Sequence, residues 1–496
     1  MANKILFWLS DEFLYFCVAN YLQKKHVGDF FGIVEDNNSG TRKFYDKQKF
    51  VKFKKLWFLR EYSSIQQNKP DLEYLKNIEK KYNIDLWKIA FSERLFHQEF
   101  NPFHKFTRNE ILNIIKQYCI LFENILDETK PDFFICNFIS RLPGYLFYVF
   151  CKSRNIQVQT LESSNFSHQV FISNTINSIG KPEKYTEHKV EHHRSLKELV
   201  ELLNKHKPIT EVFRHKNKVP KLDKYKAALD FLIQNPKNRE FFRNYGTTRR
   251  KTILKKTSLS FKLKKLKREA FMKKNLQSKL PIGEPFVFYP LRADPERNTL
   301  IFTPFHTNQI AVIENIAKSL PVDYTLYVKD HPSMGALGWR DTKYYMEIMK
   351  IPNVKLLHPS IDSIKIIKNA SLIISTGGTI TFEAAFYNKP SIVLSDVDYS
   401  ILPFIYKVKN YEELSHVIRN IINQKVDILQ LNQYVDYVFS KSIPFDREIF
   451  YNNFNNTFYY TGFEKEVEIS IDKMKVFLEN NKILLNEIVL GHLKQF

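Results

Sequence analysis

Two blocks of short, almost wholly apolar runs, each separated from the next by a helix-length stretch, constrain this chain more than any other feature. In the first block the runs are KILFWLS at 4–10, FFGIVE at 30–35, KLWFLREY at 55–62, PDFFICN at 131–137 and IQVQTLES at 156–163. In the second they are FVFYPL at 286–291, YTLYVK at 324–329, VKLLHP at 354–359, LIIST at 372–376 and SIVLS at 391–395. Helical patterns fall between them, at 70–83, 108–127 and 143–153, and again at 307–319, 340–350, 361–369 and 379–387. Strands without polar alternation are buried on both faces, and the intervening helices provide that cover. The expected class is therefore α/β, with parallel, doubly wound sheets. The length of 496 residues agrees with two such blocks, because one hydrophobic core stops growing at roughly 250–300 residues.

The boundaries follow from the same pattern. Residues 1–185 form an N-terminal Rossmann-like domain and 284–425 a C-terminal one. Between them, 186–283 is a helical connector without strong strands, and 426–496 is a polar helical tail. The connector is strongly basic: 249–274 holds twelve Lys/Arg against one acid, Glu269. The whole chain has 75 Lys+Arg against 53 Asp+Glu, a formal charge of +22. A solvated helix face is the ordinary meaning of such a run, and a surface for acidic lipid headgroups is the sharper one. Nucleic acid is not expected, since no zinc-finger spacing, RRM-like aromatic motif or helix-turn-helix cue stands out.

Four scattered cysteines with no metal spacing read as reduced, apolar residues of an intracellular protein. The N-terminus reaches Asp11 and Glu12 after a short apolar run, so it reads as a first strand and not a leader. No apolar window is long enough to span a bilayer. The expected location is cytoplasmic, with docking on the inner face of the membrane as the further option.

Only 13 glycines occur, and Gly377-Gly378 is the one adjacent pair. It follows the run 372–376, within Ser375-Thr376-Gly377-Gly378-Thr379, where a strand gives way to a helix. Ligands in such sheets bind beyond the carboxyl ends of strands. Glycines there permit close backbone approach, and amides at a helix start favour phosphate. Glu383, one turn beyond Thr379, is placed for ribose hydroxyls; the plainer reading is a tight turn with Glu383 complementing the helix dipole. The strand at 324–329 ends in Lys329-Asp330-His331-Pro332, leaving a cation and an imidazole at its carboxyl end. The first strand of this block leads into a loop dense in charge, with Arg292, Glu296 and Arg297, followed by Gln309 at a helix start.

These runs, with FVFYPLRADPER, YTLYVKDHP and STGGTITFEAAFYNKPSIVL at their centre, resemble the capsule polysaccharide biosynthesis family of Kdo-transferase-like enzymes. The resemblance is strong over 286–400 and diffuse elsewhere. It implies a GT-B glycosyltransferase, with two Rossmann-like domains facing a cleft and the sugar nucleotide on the second. It also implies that His331 and the Ser375–Thr379 loop meet donor phosphate, that Glu383 meets the ribose, and that Arg292, Glu296, Gln309 and Lys329 belong to the nucleotide site. Arg292 stands where the family more often has Gln.

On the acceptor side, an inverting transferase needs a carboxylate or His near the attacking hydroxyl. Glu12 and Glu162, each at a strand's carboxyl end, are the candidates for that base beside His331. No Asp-x-Asp lies where it would hold a donor metal, since Asp396-Val397-Asp398 follows the last strand; no metal or cofactor is expected. The expected partners are a nucleotide-sugar donor, CMP-linked by resemblance, a glycan or glycolipid acceptor, and an anionic membrane surface. The alternatives are a UDP-sugar 2-epimerase, a teichoic-acid-type polyol-phosphate transferase, and a non-enzymatic polyanion binder.

Overall fold

The computed structural model describes residues 3–496 except 37–38, 99, 165, 167, 177–181, 206–228, 230–240, 244, 248–250, 252–258, 282, 338 and 459–468. The first half of the basic run, 248–258, therefore lies almost wholly outside the described residues.

The first sheet contains β1 (Asn3–Leu9), β2 (Gly28–Val34), β3 (Lys55–Phe58), β4 (Phe133–Cys136), β5 (Gln157–Ser163) and β6 (Gln169–Ser173). The second contains β7 (Phe286–Pro290), β8 (Thr325–Lys329), β9 (Val354–Leu357), β10 (Leu372–Ser375), β11 (Ser391–Val393) and β12 (Ile405–Lys407). A last strand, β13 (Ile443–Pro444), returns to the first sheet. The orders are β13-β6-β5-β4-β1-β2-β3 and β12-β11-β10-β7-β8-β9. Strands β1 to β5 pair in parallel, as do β7 to β12, while β6 runs antiparallel to both β5 and β13. The fold is thus the expected α/β one, with two doubly wound, mainly parallel sheets. The long helix Arg108–Thr129 starts at a capping box, in which Thr107 and Glu110 each accept from the other's backbone amide. All four cysteines are buried and free. Among the described residues, no helix is long and apolar enough to cross a membrane.

The helical tail packs on both domains. Its helix Ile428–Lys441 packs on the second domain and the connector: Tyr434 and Val435 share a cluster with Tyr185, Leu199 and Phe382. After β13, the helices Arg447–Phe458, Ile471–Asn480 and Lys482–Leu493 complete the core of the first domain. Phe454 stacks on Phe13 with ring centroids 5.4 Å apart, and the Tyr21 hydroxyl donates to the Leu478 carbonyl at 2.7 Å. His492, fully buried, meets Tyr15 Oη at 3.1 Å and Gln159 Oε1 at 2.6 Å, and burial depresses its pKa to about 3. The packing is carried by regularly spaced Phe and Ile, with Asn432 and Asn481 buried among them and hydrogen-bonded to backbone carbonyls.

Candidate functional site

In the second sheet β7 lies between β8 and β10. The chain leaves β7 toward β8 and β9, then returns to β10 on the other side, so the loops after β7 and β10 diverge and leave a crevice. The two glycines of the β10 loop have different jobs. Gly377 has φ +127°, a conformation L side chains rarely adopt, and a Cβ there would collide with Ser395 Oγ. Gly378 gives room to a side chain: a Cβ there would collide with Nη1 of Arg292. The guanidinium from the β7 loop therefore lies against the backbone of the β10 loop.

Several groups fix Arg292 in place. Gln309, 1% exposed, accepts from the Arg292 amide at 2.7 Å and donates to its carbonyl at 3.3 Å. Glu296 accepts from Arg292 Nη2 at 3.0 Å. Arg340 donates to the Arg292 carbonyl, pairs with Asp294 at 2.8 Å and pairs with Asp330. Asp330, 1% exposed, also accepts from Tyr345 Oη at 2.5 Å. Gln309 is thus a brace for the β7 loop, not a group facing the crevice.

His331 stands beside this cluster. Its Nδ1 accepts from the Ser333 amide at 3.3 Å and lies 2.5 Å from Ser333 Oγ. That assigns the proton of the neutral ring to Nε2, as a donor. Burial, followed by the charges of Arg292, Arg340 and Lys329, depresses its pKa to about 4. The imidazole is neutral near pH 7, with one N–H to offer an anion.

Other expected contacts fall differently. Lys329, 3% exposed, points its ammonium at the Ile361 carbonyl and Ser363 hydroxyl, both at 2.7 Å. It contributes charge to the His331 environment but is anchored to the next loop, a correction to its role as a phosphate contact. Ser375 Oγ accepts from the amides of Gly377 and Gly378 at 3.3 and 3.1 Å. Those two amides are therefore occupied, and the helix that follows, Ile380–Ala385, has only six residues. The cation beside this turn is Arg292, whose guanidinium lies against Gly378. Thr376 is buried. Thr379 donates to Glu383 at 2.8 Å, so these two share a face as the spacing required, and burial raises the Glu383 pKa against that hydrogen bond. Asp396 of the Asp-x-Asp spacing pairs with Lys407.

The first sheet has its own crevice between β1 and β4, a cavity of about 130 Å³ lined by Ser10, Asp11, Glu12, Glu35, Asn137 and Arg141 among others. Burial pushes the Glu35 carboxyl up, but Arg243, whose Nη1 donates to it at 2.6 Å, and Arg141 outweigh this and hold it low. The tail helix Arg447–Phe458 closes this crevice. Arg447 Nη2 donates to Asn137 Oδ1, Asn137 Nδ2 donates to Tyr451 Oη at 2.6 Å, and the Tyr451 hydroxyl bonds the Glu12 carboxylate. Since the phenol oxygen already accepts from Asn137, its proton is directed at Glu12. Glu12 sits at the end of a directed chain of hydrogen bonds that starts on the tail.

Glu162 is a correction. Both its oxygens accept from Arg297 of the second domain at 2.8 Å, the side chains being 3% and 4% exposed. Thr160 Oγ1 donates to Oε1 at 3.0 Å as well. A carboxylate held by a buried, bidentate guanidinium is not a free base; it ties the carboxyl end of β5 to the β7 loop. Arg297 also lies 3.8 Å over the ring of Phe138, with Arg447 at 5.0 Å from the same ring. Phe166 joins the domains further out, 5.7 Å from Phe382 and 5.0 Å from Phe439. The carboxyl end of β5 in the first sheet thus meets the loop after β7 of the second.

Sequence reasoning missed Arg340, Tyr451 and Arg447. No local spacing marks them. Arg340 lies ten residues beyond its partner Asp330, and Asn137 meets Tyr451 across 314 residues of chain.

No protein-family model and no curated protein matches the sequence. Solved structures similar to the chain include a β-Kdo 2,7-transferase, KpsC, of Thermosulfurimonas dismutans, at 12% identity over 80% of this chain and 97% of that one, TM-score 0.30. They also include the UDP-GlcNAc 2-epimerase of Neisseria meningitidis bound to UDP-GlcNAc, at 12% identity over 88% and 99%, TM-score 0.27. That of Methanocaldococcus jannaschii with UDP-GlcNAc and UDP gives 13% over 89% and 99%, TM-score 0.27. At these identities and TM-scores, the chemistry of this chain has to be read from its own residues.

Proposed function

We propose that the protein is a glycosyltransferase that moves a sugar from a nucleotide donor, CMP-linked Kdo or another CMP-linked acidic sugar by resemblance, to a surface glycan or glycolipid. The observation that carries this reading is the pairing of Arg292 and neutral His331 at the switch point of the second sheet, across the cleft from Glu12 at that of the first. In this reading the donor phosphate lies against Arg292 and accepts from His331 Nε2, with the ribose near Glu383. Glu12 takes the proton from the acceptor hydroxyl as that oxygen bonds the anomeric carbon. The bond from that carbon to the phosphate oxygen breaks, and the leaving nucleotide keeps the electron pair, its charge met by Arg292 and His331. Tyr451, oriented by Asn137 and Arg447, aims and steadies the Glu12 carboxylate; it is a positioning residue. Arg297 and Glu162 hold the two domains at the separation that brings donor and acceptor together.

The test is nucleotide release from a panel of CMP-Kdo, UDP-GlcNAc and CDP-glycerol, each with and without a capsular oligosaccharide. Release from CMP-Kdo that requires the oligosaccharide supports the reading. Epimerised sugar and free UDP without an acceptor assign the epimerase class instead, and turnover of CDP-glycerol alone assigns a polyol-phosphate transferase. No turnover of any donor overturns the proposal.

A further inference from the structure

The basic connector ends in the helix Leu259–Asn275, whose faces differ in a way its charge count does not reveal. Successive residues advance about 100° around a helix, so Leu259, Leu263, Leu266 and Ala270 fall within one narrow arc. All four are exposed, the leucines at 71%, 55% and 60%. The opposite face holds the helix to the second domain: Met272 enters the core with Phe271 packed against it, and Arg268 Nη2 reaches Asp341 at 3.5 Å. The leucines are therefore not a core stripe seen from the wrong side. The core-facing stripe is accounted for, and a second apolar line stands on the solvent side.

Lysines border that line. Lys262 and Lys273 lie along one edge, Lys267 and Lys274 along the other, all exposed. The single acid of the helix, Glu269, lies 3.9 Å from Lys265. An apolar ridge with a cationic border on each side has the cross-section of a helix lying in a membrane interface, leucines toward the acyl boundary and ammonium groups among the headgroups. We propose that this face docks the protein on a bilayer containing anionic phospholipid. A bilayer is favoured over a protein partner by the charge: Glu269 is the single acid among the cations of the two edges, too few to pair them as a self-association face would need, while an anionic headgroup layer complements both edges at once. A soluble polyanion would use the lysines and leave the leucines in water.

The test uses the full chain with vesicles of phosphatidylcholine alone and of phosphatidylcholine with 30% phosphatidylglycerol, read by cosedimentation at low and high salt. The expected result is binding to the anionic vesicles, weak binding to the neutral ones, and a fall in binding as salt rises. Leu259→Ser/Leu263→Ser/Leu266→Ser, which keeps every charge, lowers binding at least tenfold. Lys262→Gln/Lys267→Gln lowers it about fivefold per lysine and weakens the salt dependence. Melting temperatures of both variants match the wild type, because none of these side chains is buried. Equal binding to both vesicle types, no binding, or full binding by the leucine variant overturns the proposal. A leucine variant that keeps vesicle binding and is competed off by dextran sulfate makes the face a polyanion site. Dimerisation lost in that variant, without vesicle binding, makes it a contact between copies.

Discussion

Arg297 of the second domain and Glu162 of the first form a bidentate pair, two hydrogen bonds of 2.8 Å between side chains that are almost wholly buried. Breaking one partner of such a pair leaves an uncompensated charge out of water, at a cost of about 3–5 kcal/mol, whereas removing both can be nearly neutral. Glu162→Leu and Arg297→Met should each lower the melting temperature and open the interdomain region to limited proteolysis. The double variant should recover most of the loss. A Glu162→Gln protein with unchanged melting and proteolysis would show that the pair does not hold the cleft.

The two glycines of the β10 loop should separate in experiment. Gly377→Ala forces a side chain into a left-handed backbone conformation, worth about 1–3 kcal/mol of stability, and should show in the melting temperature. Gly378→Ala displaces Arg292 and should change stability little while weakening nucleotide binding roughly tenfold or more. Isothermal titration with CMP and UDP, beside melting curves, measures both.

In the proposed reaction, His331→Ala removes the neutral donor that meets the leaving phosphate. Loss of a preorganised donor of this kind costs about 10²–10³-fold in kcat. Conversion of His331→Gln, which keeps one N–H, should restore part of it in the same nucleotide-release assay.

The pH dependence of stability has a definite sign. His331 and His492 have folded pKa values depressed to about 4 and about 3, from 6.5. Between those values and 6.5 the unfolded chain binds more protons, so stability is fully present above about pH 6.5 and is lost as the pH falls toward 4. Replacing His492 by Gln removes one titrating group and should flatten the fall in melting temperature between pH 6.5 and 4. A slope equal to that of the wild type would mean that His492 is already protonated in its pocket.

Tyr451→Phe takes away the proton directed at Glu12. The turnover number should fall about tenfold or more, with nucleotide binding unchanged. In a Glu12→Gln background the same change should add little, because the two side chains act as one unit. An additive loss would place Tyr451 in the fold and outside the chemistry.

Near-continuous apolar runs such as LIIST and FVFYPL specify strands buried on both faces, and the Gly-Gly pair marks a turn that needs a left-handed residue. The split between Gly377 and Gly378 was not legible, because the reason for the second glycine is a guanidinium 86 positions earlier. Lys329 and Glu162 looked alike from the sequence, each a charge at a strand end, yet one is anchored by Ser363 and Ile361 and the other by Arg297. Which charges face a ligand depends on partners far along the chain, which local spacing does not specify.

The sequence by itself determined the two-sheet architecture and the strand ends at which a site must lie, because strand burial and turn chemistry are properties of a few neighbouring residues. Only the tertiary structure decided that Arg292 and His331 belong to one charged cluster held by Arg340, that Glu162 is bound by Arg297, and that the tail completes the first domain. Those outcomes rest on pairings across as many as 477 residues, as between Tyr15 and His492. The +22 charge likewise acquired its meaning from the fold, which turns one face of Leu259–Asn275 inward and leaves the leucine line between its lysines in the solvent.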